Sequence, residues 1–410
     1  MTTIRFRKLI HTAKYVIRAI TLLPFMPIVL LIRLISPICE IHITPIFTSR
    51  IGHFALDTEL YICLKSANKQ TNNRIIEFFC YQCNSEICNP QLNKMWRRVI
   101  PLLYGINMIY LANYHLTKIL RLNTTSLLSI SEKLKSDAII KSKLNISQTR
   151  LYFTASEHRR GKHFIQKFLK NSEKGFVCIH SRNPTYLKNS FPNDNFSYHD
   201  YRDSDIDHFV KTAENLATLE YTVFRMGSVR DKAVCSSHQS IIDYVNQYHD
   251  PFLDIYLPSN CSFYIGDTSG LSTIPTLFKR PVAITNAIPL NEFSFLLLKN
   301  IIFIPKLFWS ETQNRLLTIR EMMTEPFLRM HRMEMFQINK IRVINNTPDE
   351  ILDLSQEMHL RHMNAWEESH EDRERQQAFM SHLSAAKYYF PGHIFAKVGS
   401  SFLKKYETLL

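Results

Sequence analysis

The chain has 410 residues, 45% of them hydrophobic and 12% aromatic, with a formal net charge of +14. That composition can bury real cores, which excludes a disordered chain, and the length allows two or three domains. The positive charge favours anionic partners such as a phosphorylated substrate, a membrane surface or nucleic acid.

The first 39 residues carry Arg5, Arg7, Lys8, Lys14, Arg18 and Arg33 and no acid. Between Arg18 and Arg33 runs AITLLPFMPIVLLI, shorter than the ~20 residues a spanning helix needs and interrupted by Pro24 and Pro27. Basic flanks around a short apolar core predict an anchor on an anionic membrane surface. The competing assignment is a buried helix of the first domain. With no signal-peptide pattern and no regular disulfide spacing among the eight cysteines, we expect a cytoplasmic protein attached peripherally to the inner membrane.

IHITPIF (41–47) reads as a buried strand, SRIGH (49–53) as a turn and the run after it as a helix. RIIEFFCY (74–81) is a second strand, and LYFT (151–154) a third ahead of a basic helix. Cys80, Cys83 and Cys88 have one two-residue spacing but no second pair to complete a tetrahedral zinc site, so no metal is expected there. From Gly175 the alternation sharpens into short apolar runs of the kind found in covered parallel strands: GFVCIH, YTVFRMG, SIIDY, CSFYIGD and PVAITN. Helices are expected near 205–218, over DPFLDIYLPSN and at 272–279. The remainder reads as helical and charged. These elements suggest an anchor (1–39), an α/β domain (40–172), a Rossmann-like domain (173–345) and C-terminal helices (346–410) that could return to the first domain.

In an open α/β sheet, ligands bind outside the carboxyl ends of the strands. There the sequence places His180 and Arg182, Arg225 and Gly227, Asp243 and Tyr244, and the turn GDTSGLS. Two guanidinium forks beside a turn whose amides open a helix suit a diphosphate. Ser272 is the expected N-cap, because Pro275 is tolerated only in a first helical turn. Thr268, Ser269, Gly270 and Leu271 then form the phosphate approach. An Arg182 or Arg225 ion pair with Asp243 or Asp267 is the structural alternative. Asp243 and Tyr244 would face a nucleoside or serve in capping and packing. His53, after Gly52 at a strand-to-helix turn, is a candidate general base or a plain helix-start residue. DSDID (203–207) contains D-x-D but opens a helix, where capping explains it better than a metal, and Arg202 just before it could reach the ligand.

Taken in order, RIGH, CIHSR, HDYRDSDI, FRMG, IIDY, GDTSGLS with FKRPVAITN, and FIPK resemble a family of putative bacterial glycosyltransferases of surface-polysaccharide synthesis. More distantly, H-x-R is similar to the motif of fucosyltransferases, and the Ser-Gly turn to that of heptosyltransferases. The resemblance implies a GT-B-like α/β fold, with two Rossmann-like domains facing a cleft. It further implies a nucleotide-sugar donor held by the C-terminal domain without metal or resident cofactor. Carried over, Arg182 would bind phosphate, Ser269 and Gly270 would form the phosphate loop, and Gly52, His53 and Arg202 would lie on the acceptor side. The acceptor would be a glycan or lipid-linked glycan. A metal-dependent GT-A transferase and a non-catalytic nucleic-acid- or glycan-binding protein are the rival readings. The absence of any RRM, KH or helix-turn-helix signature argues against nucleic acid.

Overall fold

The computed structural model describes residues 20–67, 74–82, 86–122, 127, 129, 130, 134, 149–169, 174–227, 232–289, 296, 298–385 and 394–410. Arg5 to Arg18 and Cys83 lie outside them. The chain forms two compact units, Met1–Asp137 and Ala138–Leu410.

The first unit is built on three parallel strands, β1 (Glu40–Ile46), β2 (Ile75–Tyr81) and β3 (Leu102–Leu103), in that order.

The second unit holds a seven-stranded parallel sheet. Its strands are β4 (Phe176–His180), β5 (Thr222–Arg225), β6 (Ile241–Ile242), β7 (Tyr264–Asp267), β8 (Val282–Ala287), β9 (Ile301–Pro305) and β13 (Lys397–Val398). The order is β13-β9-β8-β7-β4-β5-β6. The chain therefore starts in the middle at β4, winds outward through β5 and β6, then returns to β4's other flank with β7. This is the doubly wound arrangement, and the winding reverses between β4 and β7. β4, β5 and β7 to β9 are buried throughout, as expected of strands covered on both faces. A small antiparallel sheet, β11 (Arg315–Leu316), β10 (Leu307–Ser310) and β12 (Ile341–Ile344), follows β9.

The boundary falls at Asp137/Ala138, not near 171–175. Helix Ala155–Gln166 belongs with the large sheet, because Gly161 lets it lie against Tyr256; a Cβ there would sit 2.0 Å from the ring. Leu151 and Phe153 are buried as expected of a strand, but they pair with none. Phe153 instead packs on Phe252, Tyr256 and Phe278. Residues after 300 are not simply helical: β9 to β13 lie there. Helix Pro348–His362 packs on helix Val210–Thr218 and on β8 and β9, within the second unit.

Gly266 is fixed by close approach, since a Cβ would lie 2.5 Å from the carbonyl oxygen of His180 on the neighbouring strand. Gly266→Ala should push β7 from β4 and cost about 2–3 kcal/mol, read as a lowered urea midpoint.

Candidate functional site

The carboxyl ends of β4 and β7 are tied together by one buried carboxylate. Asp267 accepts the Arg182 backbone N–H at 2.7 Å, the Thr285 hydroxyl at 2.7 Å, the Asn286 amide at 2.7 Å and the Ser204 hydroxyl. Both of its oxygens are used, so Asp267 organises the rim. Asn286 adopts a left-handed φ of +49°, which asparagine tolerates, and exchanges hydrogen bonds with Asn346.

Over this base stand three cations. The Arg182 guanidinium pairs with Asp203 and also reaches the His199 carbonyl at 3.4 Å. Burial lowers its pKa, and the neighbouring Arg202 lowers it further. Arg202 donates to the Thr268 carbonyl at 3.4 Å, while its buried Nε has no partner. Lys306, at the end of β9, is fully buried and gives its ammonium to the carbonyls of Tyr201 at 2.9 Å and Asp203 at 2.8 Å. Burial brings its pKa down to about 8, so it stays charged at neutral pH and pins the loop bearing Arg202 and Asp203. Burial also pushes the Asp203 carboxyl up to about 6 despite Arg182. Two guanidiniums crowd beside one carboxylate that pairs with Arg182, a local field that an anion would relieve. A cavity of about 490 Å³ opens beside Asp200, Asp203 and Lys306 and is also lined by Gln337, Lys340 and Arg342.

Sequence reading placed more residues on this rim than the structure does. Arg225 is 1% exposed, donates to the Lys232 carbonyl at 2.8 Å and faces Asp243 at 3.5 Å, which is the ion-pair alternative. Asp243 also accepts from Val234 N–H at 3.2 Å and Asn246 at 2.9 Å. Tyr244 is buried; its hydroxyl accepts the Asp250 N–H at 2.9 Å and lies 2.9 Å from Asp254 Oδ1. Burial raises the Tyr244 pKa, with Asp254 adding to the rise. These contacts use Asp243 and Tyr244 in capping and packing. His180 is buried with its Nδ1 unpartnered, and burial, Arg225 and Arg182 drive its pKa down to about 3. It is neutral at working pH and supplies no charge to a phosphate.

Gly227 is half-buried just past β5. Thr268 is buried, and Ser269, Gly270 and Leu271 are half-buried ahead of the short helix Thr273–Leu277. Ser272 is its N-cap residue, but its hydroxyl donates to the Ser269 carbonyl at 2.8 Å instead of capping by side chain. Arg202, expected on the acceptor side, touches this turn. In DSDID, Asp205 caps the turn Ile206–Phe209 and joins Asp207 in binding Lys232, while Asp203 serves Arg182. Among the described residues, no group of three His, Cys, Asp or Glu side chains is placed to hold a metal. Lys306 was visible in FIPK but carried no role; only the fold shows that β9 ends beside β8 and that Lys306 reaches the carbonyls of Tyr201 and Asp203.

In the first unit, Gly52 and His53 open a π-turn, His53–Asp57, just after β1. Phe54 and Ala55 face inward, and the buried Trp96 indole donates to the Phe54 carbonyl at 2.9 Å, bracing the widened turn. On the outer side, His53 Nδ1 lies 2.8 Å from Asp57 Oδ2. A carboxylate only accepts, so Nδ1 carries a proton, and in the neutral ring Nε2 then holds the lone pair. The ring is 48% exposed and edges against Phe47. A histidine oriented by an acid, with its other nitrogen open, is the arrangement of a general base. Asp57 was missed, although H-x-x-x-D puts both side chains on one helical face.

No family model matches the chain, and no curated protein matches it. Among solved structures, it is similar to the ADP-heptose lipopolysaccharide heptosyltransferase II of E. coli, at 13% identity and a TM-score of 0.46, over 78% of this chain and 99% of that one. A family 9 glycosyl transferase from Veillonella parvula aligns at 8% identity and a TM-score of 0.39, over 64% and 85%. The E. coli heptosyltransferase WaaC with ADP-2-deoxy-2-fluoro heptose aligns at 10% identity and 0.31, over 64% and 92%.

Proposed function

We propose that this chain is a glycosyltransferase, moving a sugar from a nucleotide-sugar donor to a cell-surface glycan precursor of the polysaccharide or lipopolysaccharide type. The observation that carries it is the crowding of Arg182 and Arg202 above the carboxyl ends of β4 and β7, at the reversal of strand order. A diphosphate there would take Arg202 directly and share Arg182 with Asp203. As the acceptor hydroxyl oxygen bonds to the anomeric carbon, its proton passes to a general base, the role for which His53 is oriented within the first unit. The bond from that carbon to the diphosphate oxygen breaks, and its electron pair leaves with the diphosphate. The cations stabilise the charge that develops, the main electrostatic demand of the transfer. Neither step draws on a metal or a resident cofactor.

The first test is calorimetric titration with UDP-, GDP-, CMP- and ADP-sugars, coupled to an assay for released nucleotide. Binding of one sugar nucleotide well above free phosphate supports the reading; uniform silence across the panel rejects it.

Asp203→Asn adds a second test. A carboxyl whose pKa rises on folding holds its proton in the native state while the unfolded state loses it. Native stability therefore falls as pH rises from about 4 to about 6, by up to about 3 kcal/mol. The Asn variant should lack that slope and, with Arg182 no longer neutralised, should bind donor more tightly at neutral pH. Urea melts across this range and donor titration at neutral pH check both outcomes.

A further inference from the structure

Helix Met26–Ile35, MPIVLLIRLI, carries one charged residue and is apolar on all sides, yet only one side is covered. Leu22 and Val29 are buried with Ala112 of helix Asn107–Ile119, and Phe25, Met26 and Leu116 pack around them. Its charge is spent internally: Arg33 Nε and Nη2 donate to Asn113 Oδ1 at 3.1 and 2.8 Å, and Nη2 to the Thr117 hydroxyl at 2.5 Å. The other side is bare. Leu23 is 63% exposed, Leu30 and Leu31 57%, and Leu34 and Ile38 77%. At the helical rotation of about 100° per residue, Leu30, Leu31 and Leu34 fall on one arc opposite Val29, and Leu23 just before the helix and Ile38 just after it extend the bare apolar surface. The second helix ends in the same manner, with Ile119, Leu120 and Leu122 all more than half exposed.

Water-facing positions of a surface helix are ordinarily polar, so an apolar arc of this extent marks an interaction surface. The helix has ten residues and is about 15 Å long, half the ~30 Å of a hydrocarbon core. Among the described residues, no helix is long and apolar enough to cross a membrane. Such a helix can lie in an interface. Charge selects the partner. The two segments that supply this face, residues 1–39 and 104–122, hold six cations before residue 40 together with Lys118 and Arg121, and not one Asp or Glu. A second copy of the same face would set these cations against one another, whereas anionic headgroups would neutralise them.

We propose that this two-helix face docks on an anionic lipid surface, the leucine arc entering the headgroup boundary and Lys118 and Arg121 meeting the headgroups. The proposal is independent of the transferase assignment, since its readout is lipid binding and not sugar transfer. The full chain is sedimented with vesicles of phosphatidylcholine, with and without phosphatidylglycerol. We expect retention on the anionic vesicles that weakens with salt, and at least tenfold weaker retention on phosphatidylcholine alone. Leu31→Glu with Leu34→Glu changes exposed positions only, so circular dichroism and Tm should hold while vesicle affinity falls at least tenfold. Lys118→Gln with Arg121→Gln should weaken binding about fivefold for each charge removed, without touching the apolar arc. No retention on anionic vesicles, or retention indifferent to both pairs of substitutions, overturns the proposal. So does a dimer that these substitutions dissociate, which would give the face to a second copy.

Discussion

His53→Gln is expected to reduce the turnover of sugar transfer by about 10²–10⁴-fold while leaving nucleotide-sugar affinity and Tm where they are. The side chain is half exposed and, among the described residues, its one close polar partner is Asp57, so little folding energy is at stake. Asp57→Asn is the sharper experiment. An asparagine amide can donate to Nδ1, which moves the ring proton to Nε2 and removes the lone pair that would accept the acceptor's proton. The loss should therefore approach that of His53→Gln although the histidine remains, as expected when an orienting acid sets a tautomer. The double variant should be little worse than either single one, because the two residues act as a unit. Single-turnover rates and donor titration on all three variants separate chemistry from binding. Turnover within threefold of the native value in His53→Gln would remove the base from the mechanism.

The doubly wound half was legible because four buried parallel strands, β4, β5, β7 and β8, leave short apolar runs with polar residues at their ends. β6 was legible only in outline: SIIDY shows an apolar pair, and two residues are what pair. The strands after 300 were harder. Ile301–Pro305 is as apolar as β8, but Leu307–Ser310, Arg315–Leu316 and Ile341–Ile344 are short and lie in charged surroundings, where no periodicity accumulates. The site was legible as a set of residues and illegible as a division of labour. Arg182 and Arg225 look alike in sequence, each two residues or fewer from a strand end. Yet Arg225 closes β5 as a buried residue and meets Asp243, whereas Arg182 lies two residues beyond β4 on the rim. His180, the last residue of β4, is likewise buried. Asp267 could be read as a rim acid, but its saturation by four donors depends on Ser204, Thr285 and Asn286, which only tertiary structure brings to it.

That division of labour leads to the second large effect, at Arg202. Among the described residues its Nε is unpartnered and its one hydrogen bond, to the Thr268 carbonyl, is long at 3.4 Å, so it holds little of the native fold together. Arg202→Ala should therefore leave Tm nearly unchanged and still lower kcat/KM about 10²–10³-fold, the usual loss when a preorganised donor to developing charge is removed. Arg202→Lys restores the charge but not the planar fork, and should recover only part of that loss. Arg182→Ala behaves differently on physical grounds. It strands the Asp203 carboxylate in a buried setting, and breaking such a pair from one side costs about 3–5 kcal/mol. Its activity loss would then mix unfolding with lost binding. Combining it with Asp203→Asn removes the orphaned charge, and any donor affinity still missing from that double variant belongs to Arg182 itself. Titration of the nucleoside diphosphate alone decides the case: if Arg202→Ala binds it as tightly as the native chain, the anion does not sit at these strand ends.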